Sequence, residues 1–171
     1  MHNFEYVAAR SLDQALTQLA QGGADARVMA GGTDLIVQMR ERRRHVPVVI
    51  DVKAVPEMTE VRYDPRRGLR LGAATPCYKV YNDAEVAKAY PCLIDSASLI
   101  GGTAIQGRAS LGGNLCNASP AADSSPTLIA LSAICVIAGP GGERRVAAED
   151  FCVSPGLSLI HISEPTRQAE I

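Results

Sequence analysis

The sequence contains no tryptophan, and aromatic residues make up only 4% of its 171 residues. Surfaces that bind single-stranded nucleic acid stack the bases on aromatic side chains, so this composition argues against such a surface. There is also no excess of basic charge, because 17 basic and 18 acidic residues leave a net charge of -1. Phosphate backbones are bound by basic surfaces. We therefore predict that nucleic acid is not a partner of this chain.

Long apolar runs are missing as well. No run reaches the roughly 20 residues that a helix needs to cross a bilayer, and the N-terminal residues lack a signal-peptide pattern. These absences predict a cytoplasmic protein without a membrane span. The cysteines lack C-x-x-C spacing and close histidine partners, so we predict no metal site and expect reduced, mostly buried thiols. They are Cys77, Cys92, Cys116, Cys135 and Cys152.

The first third of the chain alternates short apolar runs with helical patterns. Ser11 and Gln14 form a capping box at the start of one such pattern, and Gly22 and Gly23 end it. The order β-α-β-α-β favours parallel strands joined by right-handed crossovers. We therefore predict a small α/β lobe over residues 1–55. Its strands are expected at 4–8, 27–30 and 48–52, and its helices at 11–22 and about 33–40.

The character of the sequence changes after residue 55. An alternating run, a polar turn and a returning run predict a hairpin, so antiparallel sheet is expected to begin here. We predict a second, mixed α+β lobe over residues 56–156. Its strands are expected at 58–63, 69–72, 133–138 and 144–147, with helices at 78–89, from 91 and from 126.

The C-terminal end has a different origin in our interpretation. Residues 157–167 read Leu-Ser-Leu-Ile-His-Ile-Ser-Glu-Pro-Thr-Arg and resemble a transposase-type sequencing adapter translated as protein. We therefore expect residues 157–171 to be non-native, the natural sequence to be interrupted near residue 156, and His161 to have no function. The alternative is a genuine short strand at 157–162.

Residues 30–35, Ala-Gly-Gly-Thr-Asp-Leu, lie between a predicted strand and a predicted helix, and we call them the first glycine loop. Glycines at such a turn let backbone amides approach an anion without a Cβ in the way. The spacing of Gly31 and Gly32 fits neither a Walker loop nor a dinucleotide fingerprint. A phosphate-binding loop and a simple tight turn therefore both remain open.

Residues 110–114, Ser-Leu-Gly-Gly-Asn, form a second glycine segment within a small, polar stretch. Their amides and the Asn114 side chain could bind a ligand, and Asp123 further along could accept a hydrogen bond from a ribose hydroxyl. Two amide-rich loops on two lobes suggest a dinucleotide held between them. The alternative is an ordered connection without a ligand.

Both glycine segments resemble motifs of one family, the FAD-binding subunits of molybdenum hydroxylases of the xanthine dehydrogenase and carbon monoxide dehydrogenase type. The first glycine loop is similar to the first flavin motif, and residues 109–115 with 118–120 and Asp123 are similar to the more specific second motif. The stretches 49–52, 71–73 and 149–151 agree in order and spacing. The resemblance covers roughly residues 3–156.

The resemblance implies an α+β, two-lobed FAD-binding domain of the vanillyl-alcohol oxidase-like (PCMH-type) fold. It also implies that both glycine segments wrap the FAD diphosphate and that Asp123 contacts the cofactor. The implied cofactor-binding residues are Val28, Met29, Ala30, Gly31, Gly32, Thr33, Asp34, Leu35, Ser110, Leu111, Gly112, Gly113, Asn114 and Asp123.

The function implied by the resemblance is electron transfer. Electrons would pass from a molybdopterin centre on a large subunit, through [2Fe–2S] clusters on a small subunit, to FAD on this chain and then to NAD⁺, a quinone or oxygen. No residue of this chain is predicted to be catalytic, because the flavin carries the redox chemistry. The alternatives are a stand-alone flavoenzyme of the same broad fold and a non-catalytic binding module.

Overall fold

The computed structural model describes residues 1–161, and the part of the predicted tail beyond residue 161 lies outside the described residues. The first part of the chain builds a three-stranded parallel sheet with the strand order β1-β3-β2. This agrees with the predicted alternation of strands and helices. The elements are β1 (Glu5–Ala8), α1 (Leu12–Gly22), a short 3₁₀ helix (Gly23–Asp25), β2 (Ala26–Met29), α2 (Leu35–Arg40) and β3 (Val48–Asp51).

Both faces of the parallel sheet are covered. Ile50 is buried among residues of α1, whereas its neighbour Val49 is buried with Met29 and Met39 on the other face. Successive side chains of a strand point to opposite faces, so the continuous apolar run of β3 is what a strand buried on both sides requires.

The capping box at the start of α1 forms with one difference from the prediction. The Gln14 backbone N–H donates to Ser11 Oγ over 3.2 Å, as expected. The Gln14 side chain, however, accepts a hydrogen bond from the backbone N–H of Arg10 rather than that of Ser11, at 2.9 Å. Both bonds satisfy backbone groups at the helix start that have no partner within the helix.

The second part of the chain is a layer of short helices flanked by two hairpins. Its buried core lies between the first hairpin and the helices that follow it, and Val80, Val86 and Leu93 are at its centre. The elements are α3 (Pro56–Thr59), β4 (Val61–Asp64), β5 (Gly68–Leu71), α4 (Cys77–Tyr81), α5 (Ala84–Ala89), α6 (Pro91–Leu99), α7 (Thr103–Gln106), α8 (Leu111–Asn117), α9 (Ser125–Ala130), β6 (Ile134–Gly139), β7 (Gly142–Ala147) and α10 (Ala148–Phe151).

Three sequence predictions need correction here. The run predicted as a strand from residue 58 starts as the short helix α3, because Pro56 provides a preset first helical residue, and the strand begins only at Val61. The second glycine segment is not an irregular loop but the first turn of α8. The thiols are free but not mostly buried, since only Cys77 is fully buried and two cysteines are exposed.

The last described residues pack against the end of α8. Strands β8 (Cys152–Ser154) and β9 (Leu157–Ser158) form a small antiparallel pair, followed by a 3₁₀ helix (Leu159–His161). Ser158 is fully buried, and its hydroxyl donates to the Cys116 carbonyl over 2.8 Å. A short strand is therefore present where the alternative interpretation of the tail placed one, and the adapter origin of this segment stays a prediction.

Within residues 1–161, none of the helices has both the length and the apolar character that a membrane crossing requires.

Candidate functional site

The first glycine loop leaves the parallel sheet at its carboxyl edge, directly after β2. Gly32 has a φ of +76°, a conformation that side-chain-bearing residues rarely adopt. The chain then turns into α2, with the Ile36 N–H donating to the Gly32 carbonyl over 3.0 Å. The position of the loop, between strand and helix, is the one that the sequence predicted.

The backbone amides of this loop form a row of free donors. Within residues 1–161, the N–H groups of residues 31–35 have no hydrogen-bond acceptor. Backbone amides in folded proteins are nearly always paired with protein, water or ligand. Because α2 has only six residues, its macrodipole adds little, and the row of amides itself is the feature that suits an acceptor-rich group.

The carbonyl groups of the same loop are held by two cationic side chains. Lys53 Nζ donates to the Ala30 carbonyl over 3.2 Å. Arg108 Nε donates to the Gly31 carbonyl over 2.9 Å, across 77 positions of sequence. Lys53 and Arg108 therefore lie beside the row of amides, and Lys53 is at the same time paired with the carboxylate of Asp51. We call the first glycine loop together with these side chains the corner.

A buried carboxylate supports one of these cations. Asp51, at the end of β3, is 6% exposed, and it binds the Lys53 ammonium as well as the Lys53 backbone N–H at 2.8 Å. The Tyr6 hydroxyl donates to the same carboxylate over 2.6 Å. Burial alone would raise the pKa of Asp51, but its bonds with Lys53 and Tyr6 outweigh burial and hold that pKa below its usual value. The bond with Asp51 in turn raises the pKa of the Tyr6 hydroxyl.

The Asp51 carboxylate makes a testable contribution to stability. Because the pKa of Asp51 is lower in the folded chain than its ordinary value of 3.8, ionised Asp51 stabilises the fold above that pH, and the effect is lost as pH falls through the folded pKa. We expect Asp51→Asn to lower the free energy of unfolding at pH 7 by about 2 kcal/mol, the scale of hydrogen bonds to a charged group. Urea titrations from pH 7 to pH 3 should show the difference shrinking.

The exposed Asp95 on α6 offers the matched control. Asp95→Asn should leave the free energy of unfolding within about 0.5 kcal/mol of the parent chain. A deficit for Asp51→Asn that stays constant down to pH 3 would show that the ionised carboxylate is not the stabilising group.

The second glycine segment is organised by its first and last residues. Ser110 caps α8, because its Oγ accepts a hydrogen bond from the Gly113 N–H over 3.0 Å. Asn114 Oδ1 accepts from the Ser124 hydroxyl over 2.7 Å and from the Ser124 backbone N–H over 3.2 Å. The Gly113 amide and the Asn114 oxygen, which the sequence suggested as ligand contacts, are thus bonded within the protein. The Asn114 side-chain amino group is a donor that these bonds do not use.

The two glycine segments lie next to each other in space. A Cβ added to Gly113 would lie 3.9 Å from Ala30 Cβ. A Cβ added to Gly31 would lie 2.1 Å from the Arg108 carbonyl oxygen, and one on Gly112 would lie 2.4 Å from the Ala73 carbonyl oxygen. Gly31 and Gly112 are therefore required by close backbone packing, whereas Gly113 faces the first glycine loop.

The remaining residues of the implied site are spread from core to surface. Met29 and Leu111 are buried in the two parts of the core, so they support the loops from behind. Thr33 and Leu35 are half-buried. The exposed residues are Val28, Asp34 and Asp123.

Four residues at this corner were not assigned to the site by sequence reasoning. Asp51 carried a detectable signal, since it is an acidic residue at the end of an apolar strand run. Lys53 lies two residues later, and its sequence position does not distinguish it from an ordinary surface lysine. Tyr6 and Arg108 are joined to the corner only by the fold, and no local pattern marks them.

Comparison with known proteins shows the family of the chain. Residues 2–164 match the family described as FAD binding domain in molybdopterin dehydrogenase. The carbon monoxide dehydrogenase medium chain of Hydrogenophaga pseudoflava is 30% identical over 161 residues, which is 94% of this chain and 56% of that protein. The xanthine dehydrogenase FAD-binding subunit of Escherichia coli O157:H7 is 31% identical over 157 residues, which is 91% of this chain and 53% of that protein.

Solved structures agree in fold. Carbon monoxide dehydrogenase from Hydrogenophaga pseudoflava, in a form that lacks the Mo-pyranopterin moiety of its cofactor, superposes with a TM-score of 0.87 at 31% identity. Quinoline 2-oxidoreductase from Pseudomonas putida 86 gives a TM-score of 0.87 at 30% identity. In each case the alignment covers 92% of this chain and 55% of the other chain. The chain thus spans about half the length of the curated relatives it matches.

Proposed function

The chain belongs to the family of FAD binding domains in molybdopterin dehydrogenases, and from this premise we propose that it binds FAD at the corner between its two glycine segments. The observation that carries the proposal is the row of amides at residues 31–35, which have no acceptor among residues 1–161. A diphosphate offers many acceptor oxygens and negative charge, which suits a row of N–H groups beside the guanidinium of Arg108 and the ion pair of Lys53 and Asp51. The donor set therefore fits the cofactor.

In this proposal each part of the corner has a simple task. The amides of the first glycine loop bind diphosphate oxygens, and the first turn of α8, with Gly113 facing the loop, closes the other side. Asp123, which is exposed, accepts a hydrogen bond from a ribose hydroxyl. FAD supplies the redox chemistry, and this chain binds and orients it. No side chain of the corner is assigned a catalytic proton transfer.

The wider role that we propose is electron transfer within a molybdenum hydroxylase complex. Related chains are medium or FAD-binding subunits of dehydrogenases. By this analogy, a small [2Fe–2S] subunit would supply electrons from a large molybdopterin subunit, and NAD⁺, a quinone or oxygen would accept them from FAD. We place the complex in the cytoplasm.

One observation favours a different reading, a binding module without flavin. Gly31 and Gly112 are already accounted for by close contacts with the backbone of Arg108 and Ala73. Glycine at these two positions is therefore not evidence for a ligand. The amides of residues 31–35, which have no acceptor in the described part of the chain, are not explained in that way, and they favour the FAD site.

A comparison of flavins tests the proposal. Fluorescence titration of the 171-residue chain should give a dissociation constant for FAD about 100-fold lower than that for riboflavin, a difference of about 2.7 kcal/mol, because riboflavin lacks the diphosphate and the adenosine beyond it. FMN, with one phosphate, should lie between the two. A folded chain that binds riboflavin as tightly as FAD, or binds neither at millimolar concentration, would contradict the proposal.

A further inference from the structure

Two consecutive carbonyl groups of the first glycine loop accept hydrogen bonds from cationic side chains of two different segments. Lys53, which follows β3, donates to the Ala30 carbonyl, and Arg108, which precedes α8, donates to the Gly31 carbonyl. Their distances of 3.2 and 2.9 Å are those of ordinary to strong hydrogen bonds from charged donors.

The geometry of the peptide bond links the direction of each carbonyl group to the direction of the next N–H group. In a planar trans peptide, the carbonyl of one residue and the N–H of the next point in opposite directions. Fixing the Ala30 carbonyl toward Lys53 therefore aims the Gly31 N–H away from Lys53. In the same way, fixing the Gly31 carbonyl toward Arg108 aims the Gly32 N–H away from Arg108. These two amides belong to the row without an acceptor within residues 1–161.

We propose that Lys53 and Arg108 are positioning residues that orient the amides of Gly31 and Gly32 for the FAD diphosphate, an inference that rests on the function proposed above. Loop glycines without such restraints visit many backbone conformations, and ordering them on binding would reduce affinity. The two cations remove much of that cost before the ligand arrives.

The surroundings of each cation hold it in place. The Lys53 ammonium is fixed by Asp51, which is itself fixed by Tyr6, so the bond to the Ala30 carbonyl is part of a chain of three hydrogen bonds. The backbone of Arg108 lies against Gly31 so closely that only glycine fits. The first glycine loop is thus restrained by Lys53 from the parallel sheet and by Arg108 from the segment that leads into α8.

The backbone order of the first glycine loop in the ligand-free chain is the measurement that tests this positioning role. At 18.1 kDa the chain is suited to ¹⁵N relaxation measurements, which report backbone order on the picosecond to nanosecond timescale. We expect order parameters of about 0.85 for Gly31 and Gly32 in the ligand-free chain, and values below about 0.6 at Gly32 in Arg108→Gln and at Gly31 in Lys53→Met. Each substitution should also raise the dissociation constant for ADP, a diphosphate probe, about tenfold.

Matched controls use exposed cations away from the corner. Arg62→Gln on β4 and Lys88→Met on α5 should change neither the order parameters nor the ADP affinity. Arg108→Lys and Lys53→Arg, which keep a charged donor, should recover part of the order. If Lys53→Met unfolds because Asp51 loses its partner, the double variant Asp51→Asn/Lys53→Met removes the unpaired charge and permits the same measurement.

The possible results separate three cases. Weaker ADP binding with unchanged loop order would mean that the cations contact phosphate directly, and the positioning role would be wrong. Unchanged order and unchanged affinity would also overturn it. If the parent chain binds no ADP and no FAD, the proposed function fails and so does positioning for a diphosphate, whereas the order parameters would still show whether the two cations restrain the loop.

Discussion

Replacing Gly31 by alanine is expected to lower the free energy of unfolding by about 3 kcal/mol and to abolish FAD binding. The added Cβ would lie 2.1 Å from the Arg108 carbonyl oxygen and 2.6 Å from its carbonyl carbon. Both are backbone atoms that cannot rotate away, so the first glycine loop must separate from the segment leading into α8. Overpacking of this kind costs on the order of 1–3 kcal/mol, and the rigid neighbours place this site at the upper end.

Gly107 provides the matched control, one residue before Arg108. A Cβ added there meets no atom within 4 Å, and its backbone is helical. Gly107→Ala should therefore leave the free energy of unfolding within about 0.5 kcal/mol of the parent chain. Urea denaturation of the two variants measures the difference. Equal stabilities would show that the loop and the Arg108 backbone are not packed as described.

Replacing Gly113 by leucine is expected to weaken FAD binding about 100-fold, or 2.7 kcal/mol, with a smaller effect on the fold. The new side chain would begin 3.9 Å from Ala30 Cβ and fill the space between α8 and the first glycine loop. It would also displace Ser110 Oγ, which lies 2.9 Å from the added Cβ. Losing that helix cap costs about 1 kcal/mol of stability.

Flavin fluorescence gives the affinity of this variant, and urea denaturation gives its stability. Gly141→Leu, in the turn between β6 and β7, is the control, since a Cβ there has no neighbour within 4 Å. An affinity of Gly113→Leu for FAD equal to that of the control would mean that the cofactor does not use the space between the two glycine segments.

Local patterns were sufficient for most elements of this fold. The apolar run at residues 48–52 predicted a strand, and the structure forms β3 there and buries Val49 and Ile50 on opposite sides. The polar turn at residues 64–68 predicted the hairpin of β4 and β5, whose strands pair antiparallel as expected. These features depend on neighbours in sequence, so the residue types alone carry the signal.

Helix α8 was missed because its first turn contradicts helix propensity. Gly112, Gly113 and Asn114 are poor helix formers, and a propensity argument assigns them to a loop. Contacts from outside this turn stabilise the helix instead. Ser110 caps it, and the backbone of Ala73 packs so close to Gly112 that a larger residue there would collide with it. Tertiary contacts of this kind have no signature in a local window.

The bonds from Lys53 and Arg108 to the first glycine loop could not be predicted from the sequence, for a related reason. Arg108 and Gly31 are 77 positions apart, and their bond exists only after the two parts of the chain pack together. The sequence could indicate a phosphate-binding loop, but it could not indicate which side chains hold its carbonyl groups. The fold decides this.

An amide spectrum of the ¹⁵N-labelled chain, recorded with and without FAD, tests the central claim most directly. If the diphosphate lies on the first glycine loop, the amide signals of Gly31, Gly32 and Gly113 should move on addition of FAD, because N–H groups that gain an acceptor change their environment. Gly141, in the turn between β6 and β7, should not move. A folded chain in which FAD shifts none of the three loop signals, or shifts only signals elsewhere, would contradict the account.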